Sequence, residues 1–275
     1  MRLKFSNKFK KNLLLTIKFL IIFIVSLEIF NYFILGKLLY KSYDIKAYKS
    51  SKIIKNNSNI NKVIILIHGI YGNHNDLMKI AEFYANRGYE VISIQYPSTT
   101  DNIENISKKY IDPVIKNIDK NKEKYIIAHS MGTIVTREYL INNKIDNLKK
   151  VVFISPPSKG TNLADSIPAK LLSYGFGKSL FDLSTKKNSF VNTLKDPDYT
   201  CKVFIGNKSN NYLYSLIIKG KDDGMVPIDT ARLNSCDYEL IDGVTHKSIL
   251  RDNNSIYKIK DFIEKMKDWN HWQNK

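Results

Sequence analysis

Apolar positions divide the chain into three stretches. Residues 13–35 are predominantly apolar, with Lys18 and Glu28 as their only charges. As a helix at 1.5 Å per residue, such a run outreaches a hydrocarbon core of roughly 30 Å. Residues 36–61 are polar and rich in Lys, Ser and Asn. From residue 62 onward, short apolar runs alternate with longer amphipathic stretches. Strands are predicted at 63–67, 91–95, 124–128, 150–155, 201–206 and 237–241, and helices at 75–87, 102–119, 131–142 and 254–267. Runs such as Val151-Val152-Phe153-Ile154 are apolar on both strand faces, the pattern of a parallel sheet covered on both sides. Arg87-Gly88-Tyr89 is a helix stop. Pro113 has no N–H to donate, so the second helix should kink or restart there. The alternation breaks at 157–200, where Ile167, Leu171, Leu172, Tyr174, Phe176, Leu180 and Phe181 form a loose apolar stripe, and again at 207–219.

Candidate chemistry sits where predicted strands end. Ala128-His129-Ser130-Met131-Gly132 follows the strand at 124–128 and opens a helix. A strand that turns sharply into a helix lifts the serine to the apex of the turn, and small residues on either side relieve the crowding. The free N–H groups of the helix start would face any oxyanion formed there. His68-Gly69-Ile70-Tyr71-Gly72 follows the strand at 63–67. Lys221-Asp222-Asp223-Gly224-Met225-Val226-Pro227 is an acidic turn, and Asp242-Gly243-Val244-Thr245-His246 follows the strand at 237–241. The order Ser130, Asp223, His246 is that of a hydrolase triad on an α/β sheet.

Over roughly residues 62 to 266 the chain resembles the α/β-hydrolase superfamily, and most closely bacterial lipases and esterases. His68-Gly69-Ile70 is similar to the oxyanion loop of small bacterial lipases. Ala-His-Ser-Met-Gly resembles nucleophile elbows with alanine in place of the first glycine. Ser155 through Asp165 is similar to a Pro-His-x-Gly-Ser-x-x-Ala-Asp stretch, with Ser158 where histidine is usual. Asp223-Gly224-x-Val226 resembles the turn that carries the triad acid. The resemblance implies an α/β-hydrolase fold: a mostly parallel central sheet with helices on both faces and a small cap insertion at about 157–200. It implies Ser130 as nucleophile, His246 as base and Asp223 as the acid that orients it, in preference to Asp222 or Asp242. Backbone N–H groups of Ile70 and Met131 would form the oxyanion hole. His68, Gly69, His129 and Gly132 support the motifs structurally, and Asn210–Tyr214 would line an acyl pocket. His74 is expected at the surface.

Composition narrows the remainder. The net charge is +17. Arg2, Lys4, Lys8, Lys10 and Lys11 supply five of those charges, and the other lysines are scattered through loops. No nucleic-acid motif accompanies them, so a nucleic-acid partner is not expected. A basic surface favours anionic lipid headgroups. The histidines lack paired ligand spacing and there is no Gly-rich phosphate loop, so neither metal nor cofactor is expected. Cys201 and Cys236 either pair as a disulfide, if the domain lies outside the cytoplasm, or remain two unrelated thiols.

The expected layout is a basic segment 1–12, one transmembrane signal anchor 13–35, a tether 36–61, an α/β-hydrolase domain 62–267 and a tail 268–275. No small-x-small cleavage site follows the anchor, which should therefore be retained in the cell membrane with the domain extracytoplasmic. Trp269 and Trp272, beside His271 in the tail, either touch the interface or pack on the domain. The expected function is hydrolysis of lipid or acyl carboxylic esters through an acyl-enzyme, with no obligate protein partner. A thioesterase or acyltransferase on the same triad, or a non-catalytic scaffold, are the alternatives.

Overall fold

The computed structural model describes residues 43–48, 61–166, 177–210 and 212–265, with scattered helical positions between Asn12 and Ser26. Most of the expected anchor 13–35 and tether, Ile167, Leu171, Leu172, Tyr174 and Phe176 of the apolar stripe, Asn211, and the tail with Trp269, His271 and Trp272 lie outside the described residues. Among the described residues no helix is long and apolar enough to cross a membrane.

Seven strands form one sheet: β1 (Asp44–Tyr48), β2 (Lys62–Ile67), β3 (Glu90–Gln95), β4 (Glu123–His129), β5 (Leu148–Ile154), β6 (Cys201–Gly206) and β7 (Asp237–Ile241). Their order is β1-β3-β2-β4-β5-β6-β7. All pairs are parallel except β1 with β3, where Asp44 opposes Gln95 and Tyr48 opposes Val91. β1 departs from expectation, because it lies within the stretch read as a tether. Its exposed side chains gave no strand pattern; pairing with β3 orders it.

The chain steps from β2 to β3 on one side and then returns to place β4 on the other. This reversal leaves a crevice at the carboxyl ends of β2 and β4, the place where open α/β sheets bind ligands. The predicted chemistry follows those two strands.

Alternate strand residues feed two cores. On one face Val63, Ile65, Ile67, Ala128, Phe153 and Val203 pack beneath Ile103, Ile106, Ile134 and Val135. On the other, Ile64, Leu66, Ile127, Val152 and Phe204 meet Leu77, Ile80, Tyr84, Ile256 and Ile259. The helix predicted at 75–87 is a 3-10 turn His74–Asp76 followed by α1 (Met78–Ala85). That at 102–119 is α2 (Ile103–Ile106), a π turn Ser107–Ile111 and α3 (Asp112–Lys116). The π turn makes room for the Pro113 ring, which would otherwise strike the carbonyl four residues back. α4 (Met131–Asn142) lies as expected.

The insertion after β5 holds α5 (Asn162–Ser166), a 3-10 helix Lys178–Leu183 and α6 (Phe190–Thr193). Leu180, Leu183 and Val191 are buried in the first core, so this part of the cap is docked. Ser179 donates to the Ser98 carbonyl at 2.7 Å and Asp182 accepts the Ile103 N–H at 2.9 Å, which fasten the cap to the rim of the sheet. After β6 come α7 (Tyr212–Ile217) and the one-turn α8 (Ile228–Ala231); α9 (Asn253–Glu264) closes the domain. Cys201 and Cys236 form a disulfide with Cα atoms 5.0 Å apart. It staples the starts of β6 and β7, at the sheet edge opposite the crevice.

Candidate active site

Ser130 stands between β4 and α4 at φ 52°, ψ −129°. A non-glycine residue held there costs about 1–3 kcal/mol and needs firm support. Support comes from both sides: Ser130 N donates to the Ile154 carbonyl at 2.9 Å, and Thr133 N donates to the Ser130 carbonyl at 3.0 Å. Close backbone approach accounts for two glycines. A Cβ on Gly132 would lie 2.2 Å from the His68 carbonyl oxygen, and one on Gly69 would lie 2.7 Å from Ser130 Cβ. The 68–70 loop is thereby pressed against the elbow, which sets the Ile70 peptide beside the serine. Met131 opens α4, so its N–H is one of the donors that a helix start leaves unpaired.

His246 joins the serine to an acid. Its Nε2 is 2.9 Å from Ser130 Oγ, and its Nδ1 is 2.9 Å from Asp223 Oδ2. A carboxylate only accepts, so Nδ1 carries the proton and Nε2 is free to take one from the serine. Asp223 is wholly buried. Burial pushes its carboxyl up, but the facing His246 and the Val226 amide outweigh this and hold it below its ordinary value. Oδ1 accepts from Val226 N at 2.9 Å and Met225 N at 3.1 Å. The neighbouring acids point elsewhere. Asp222 accepts from Gly224 N at 2.6 Å and from Ser215, and Asp242 pairs with Asn207 at the surface.

The other described histidines, His68, His74 and His129, are buried scaffolding. His68 lies against Gly69 O through Nδ1 at 2.7 Å and accepts the Tyr96 N–H through Nε2 at 3.1 Å. Tyr96 stacks on the ring with centroids 4.2 Å apart and donates its hydroxyl to the His68 carbonyl. Burial lowers the His68 pKa to about 4, so the ring is neutral. His129 places Nε2 2.9 Å from the His246 carbonyl and ties the Ser130 turn to the His246 loop. Burial, and then repulsion from His246, lower its pKa to about 3. His74 corrects the expectation of exposure: it is 8% exposed, 3.0 Å from Ser93 Oγ and 3.4 Å from Asp44. β1, unforeseen in the sequence, covers it. Ser158 is buried as well; its carbonyl accepts from Arg137 at 3.1 Å, while its hydroxyl has no partner among the described residues.

Beside Ser130 lies a partly open cleft of about 70 Å³. Ile70, Pro157, Leu163, Leu183, Met225 and Val226 give it an almost wholly carbon wall, with Tyr214 at its side. Of the expected Asn210–Tyr214 lining, Tyr214 contributes. Leu163 and Met225 were not foreseen. They come from loops after β5 and β6 that meet only in three dimensions, where Thr161 Oγ1 donates to the Met225 carbonyl at 2.8 Å. Among the described residues there is no group of three or more His, Cys, Asp or Glu side chains able to hold a metal.

A family model described as the alpha/beta hydrolase fold matches residues 62–191. The chain has the α/β-hydrolase fold. Among solved structures, the mature lipase BlEst2 of Bacillus licheniformis superposes with a TM-score of 0.61 at 18% identity, over 80% of this chain and 98% of that one. Phospholipase PlaB of Legionella pneumophila gives 0.64 at 14% identity, over 75% of this chain and 61% of that one. The metagenomic carboxyl esterase MGS0156 gives 0.56 at 15% identity, over 73% and 69%. At these identities the likeness is one of hydrolase fold. No curated protein matches the sequence.

Proposed function

We propose that the chain is a membrane-anchored serine hydrolase that cleaves carboxylic esters carrying an apolar acyl group. The observation that carries this reading is the Ser130–His246–Asp223 relay at the mouth of a carbon-walled cleft. Ser130 Oγ attacks the acyl carbonyl while His246 Nε2 takes its proton. The tetrahedral oxyanion is held by the Met131 and Ile70 N–H groups, each donor contributing about 3 kcal/mol. His246 then protonates the leaving alcohol, and water hydrolyses the acyl-serine by the same path reversed. Lipases, a phospholipase and a carboxyl esterase among the fold neighbours agree with an ester substrate. The apolar run 13–35 would anchor the chain in the cell membrane. The Cys201–Cys236 disulfide favours an extracytoplasmic domain, since reducing compartments rarely keep such bonds.

The test is hydrolysis of p-nitrophenyl esters, from acetyl to palmitoyl, by the full chain and by Ser130→Ala. The expected result is a loss of at least roughly a thousandfold in the variant, together with loss of fluorophosphonate labelling. Equal rates in the two proteins would overturn Ser130 as nucleophile. Activity on thioesters alone would move the substrate class and keep the triad.

A further inference from the structure

Because β1 runs antiparallel to its neighbour, the chain enters the domain at the catalytic edge of the sheet. Asp44, the first residue of β1, opposes Gln95 at the carboxyl end of β3. Ser130 follows the carboxyl end of β4 along that same edge. Two strands stand between β1 and β4, so the lateral offset is about 14 Å at 4.8 Å per spacing. Asp44 also touches His74, a few residues beyond the 68–70 loop.

The distance back to the apolar run is short. From Leu35 to Tyr43 is eight residue steps, at most about 28 Å even when fully extended. An anchor in 13–35 therefore keeps the catalytic edge within about 28 Å of the bilayer.

A second observation lies on the same edge. α7 follows β6 beside the cleft and shows solvent Leu216, which is 83% exposed, Ile217 at 41% and Tyr214 at 37%. Tyr214 is also a cleft wall. Exposed Lys208, Lys219 and Lys221 flank this helix, and residues 207–221 contain no Asp or Glu. An apolar tip ringed by lysines and continuous with a carbon-walled cleft has the composition of an element that seats in anionic headgroups.

From the strand polarity, the short leash and the α7 tip together, we infer that the cleft opens onto the bilayer that carries the chain. Leu216 and Ile217 seat in its anionic surface and deliver acyl esters from that membrane past Tyr214 to Ser130. The inference rests on the anchor and hydrolase readings proposed above. It adds a docking surface, its partner and the source of the substrate.

The full chain is reconstituted in vesicles of phosphatidylcholine and phosphatidylglycerol. Both native cysteines are in the disulfide, so a single introduced thiol can be labelled with an environment-sensitive dye. Leu216→Cys is compared with Lys120→Cys, which lies in the exposed turn before β4 at the opposite edge. Quenching by lipid-borne quenchers at 216 and not at 120 is the expected result, stronger with phosphatidylglycerol than without it. Failure of the chain to float with vesicles would remove the anchor reading, and this inference with it. Flotation with no quenching at 216, or equal quenching at both sites, would overturn this inference alone. A Leu216→Glu/Ile217→Glu protein should lose at least about tenfold in hydrolysis of vesicle-borne ester, while its rate on soluble p-nitrophenyl butyrate stays within about twofold. Loss of both rates, or of neither, would also count against docking.

Discussion

The two walls of the cleft are built differently. The wall proposed to handle protons is made of strand ends in direct backbone contact: β2 with its 68–70 loop, β4 with Ser130, and the Asp223 and His246 loops. His68, His129, Asp223 and His246 are all buried there, each with a defined partner. The wall that would face the acyl group is made of one-turn pieces and Tyr214 of α7, held by the Thr161 N–H to Leu183 carbonyl bond and by side-chain contacts such as Thr161 to Met225 and Ser179 to Ser98. Proton transfer tolerates little misplacement, so its groups are set by rigid backbone. An acyl chain needs only shape and dryness, which many apolar side chains supply. Substitutions in the first wall should therefore abolish activity or folding, and those in the second should retune specificity.

The largest effect expected is at Gly132. An alanine there drives a Cβ into the His68 carbonyl, and overpacking against rigid backbone costs about 3 kcal/mol or more. Gly132→Ala should yield insoluble protein or a fold without activity, read by circular dichroism and phosphonate labelling. Wild-type activity in that variant would break the claim that the two loops are in backbone contact.

An intermediate effect concerns acid. His68 and His129 are neutral in the fold, with pKa values of about 4 and about 3. Each binds a proton more readily once unfolded, so stability falls as pH drops below about 6.5. The loss should be roughly 2 kcal/mol per histidine between pH 6.5 and 5, and should continue until the folded pKa values are passed. Urea titrations across this range measure it. A flat profile would contradict neutral burial of both rings.

The smallest effect belongs to the acyl wall. Leu163→Ala and Met225→Ala widen the cleft by a few methylene volumes. The chain-length optimum on p-nitrophenyl esters should shift toward longer acyl groups, with rates on short esters changing less than about tenfold. A loss as deep as that of the nucleophile variant would erase the distinction between the walls.

Much of the proton-handling wall was legible in the sequence. A strand running into small-x-Ser-x-Gly, a strand running into His-Gly, and an Asp-Gly turn before a late histidine are local patterns. Local patterns survive without tertiary information. The strands at 201–206 and 237–241 matched residue for residue, β6 as a buried run and β7 as a mostly exposed edge strand. β1 was not legible: Asp44 to Ala47 are all exposed, so no buried apolar face marks it, and its order comes from pairing with β3. His74 was misjudged for the same reason, since β1 is what covers it. The acyl wall escaped for another reason, because Leu163 and Leu183 lie in separate short helices of the insertion after β5 and Met225 follows β6, and their meeting leaves no periodic signal.

By itself the sequence determined the alternation of strands and helices, the parallel character of the sheet and the candidate serine, acid and histidine. Hydrophobic periodicity and turn chemistry act over a few residues, so they can be read along the chain. Tertiary structure alone decided that Cys201 meets Cys236, that Ser130, His246 and Asp223 come within hydrogen-bond reach of one another, and that β1 begins at the carboxyl edge of the parallel strands. Each of these depends on distances between segments remote in sequence, and only the closed sheet sets such distances.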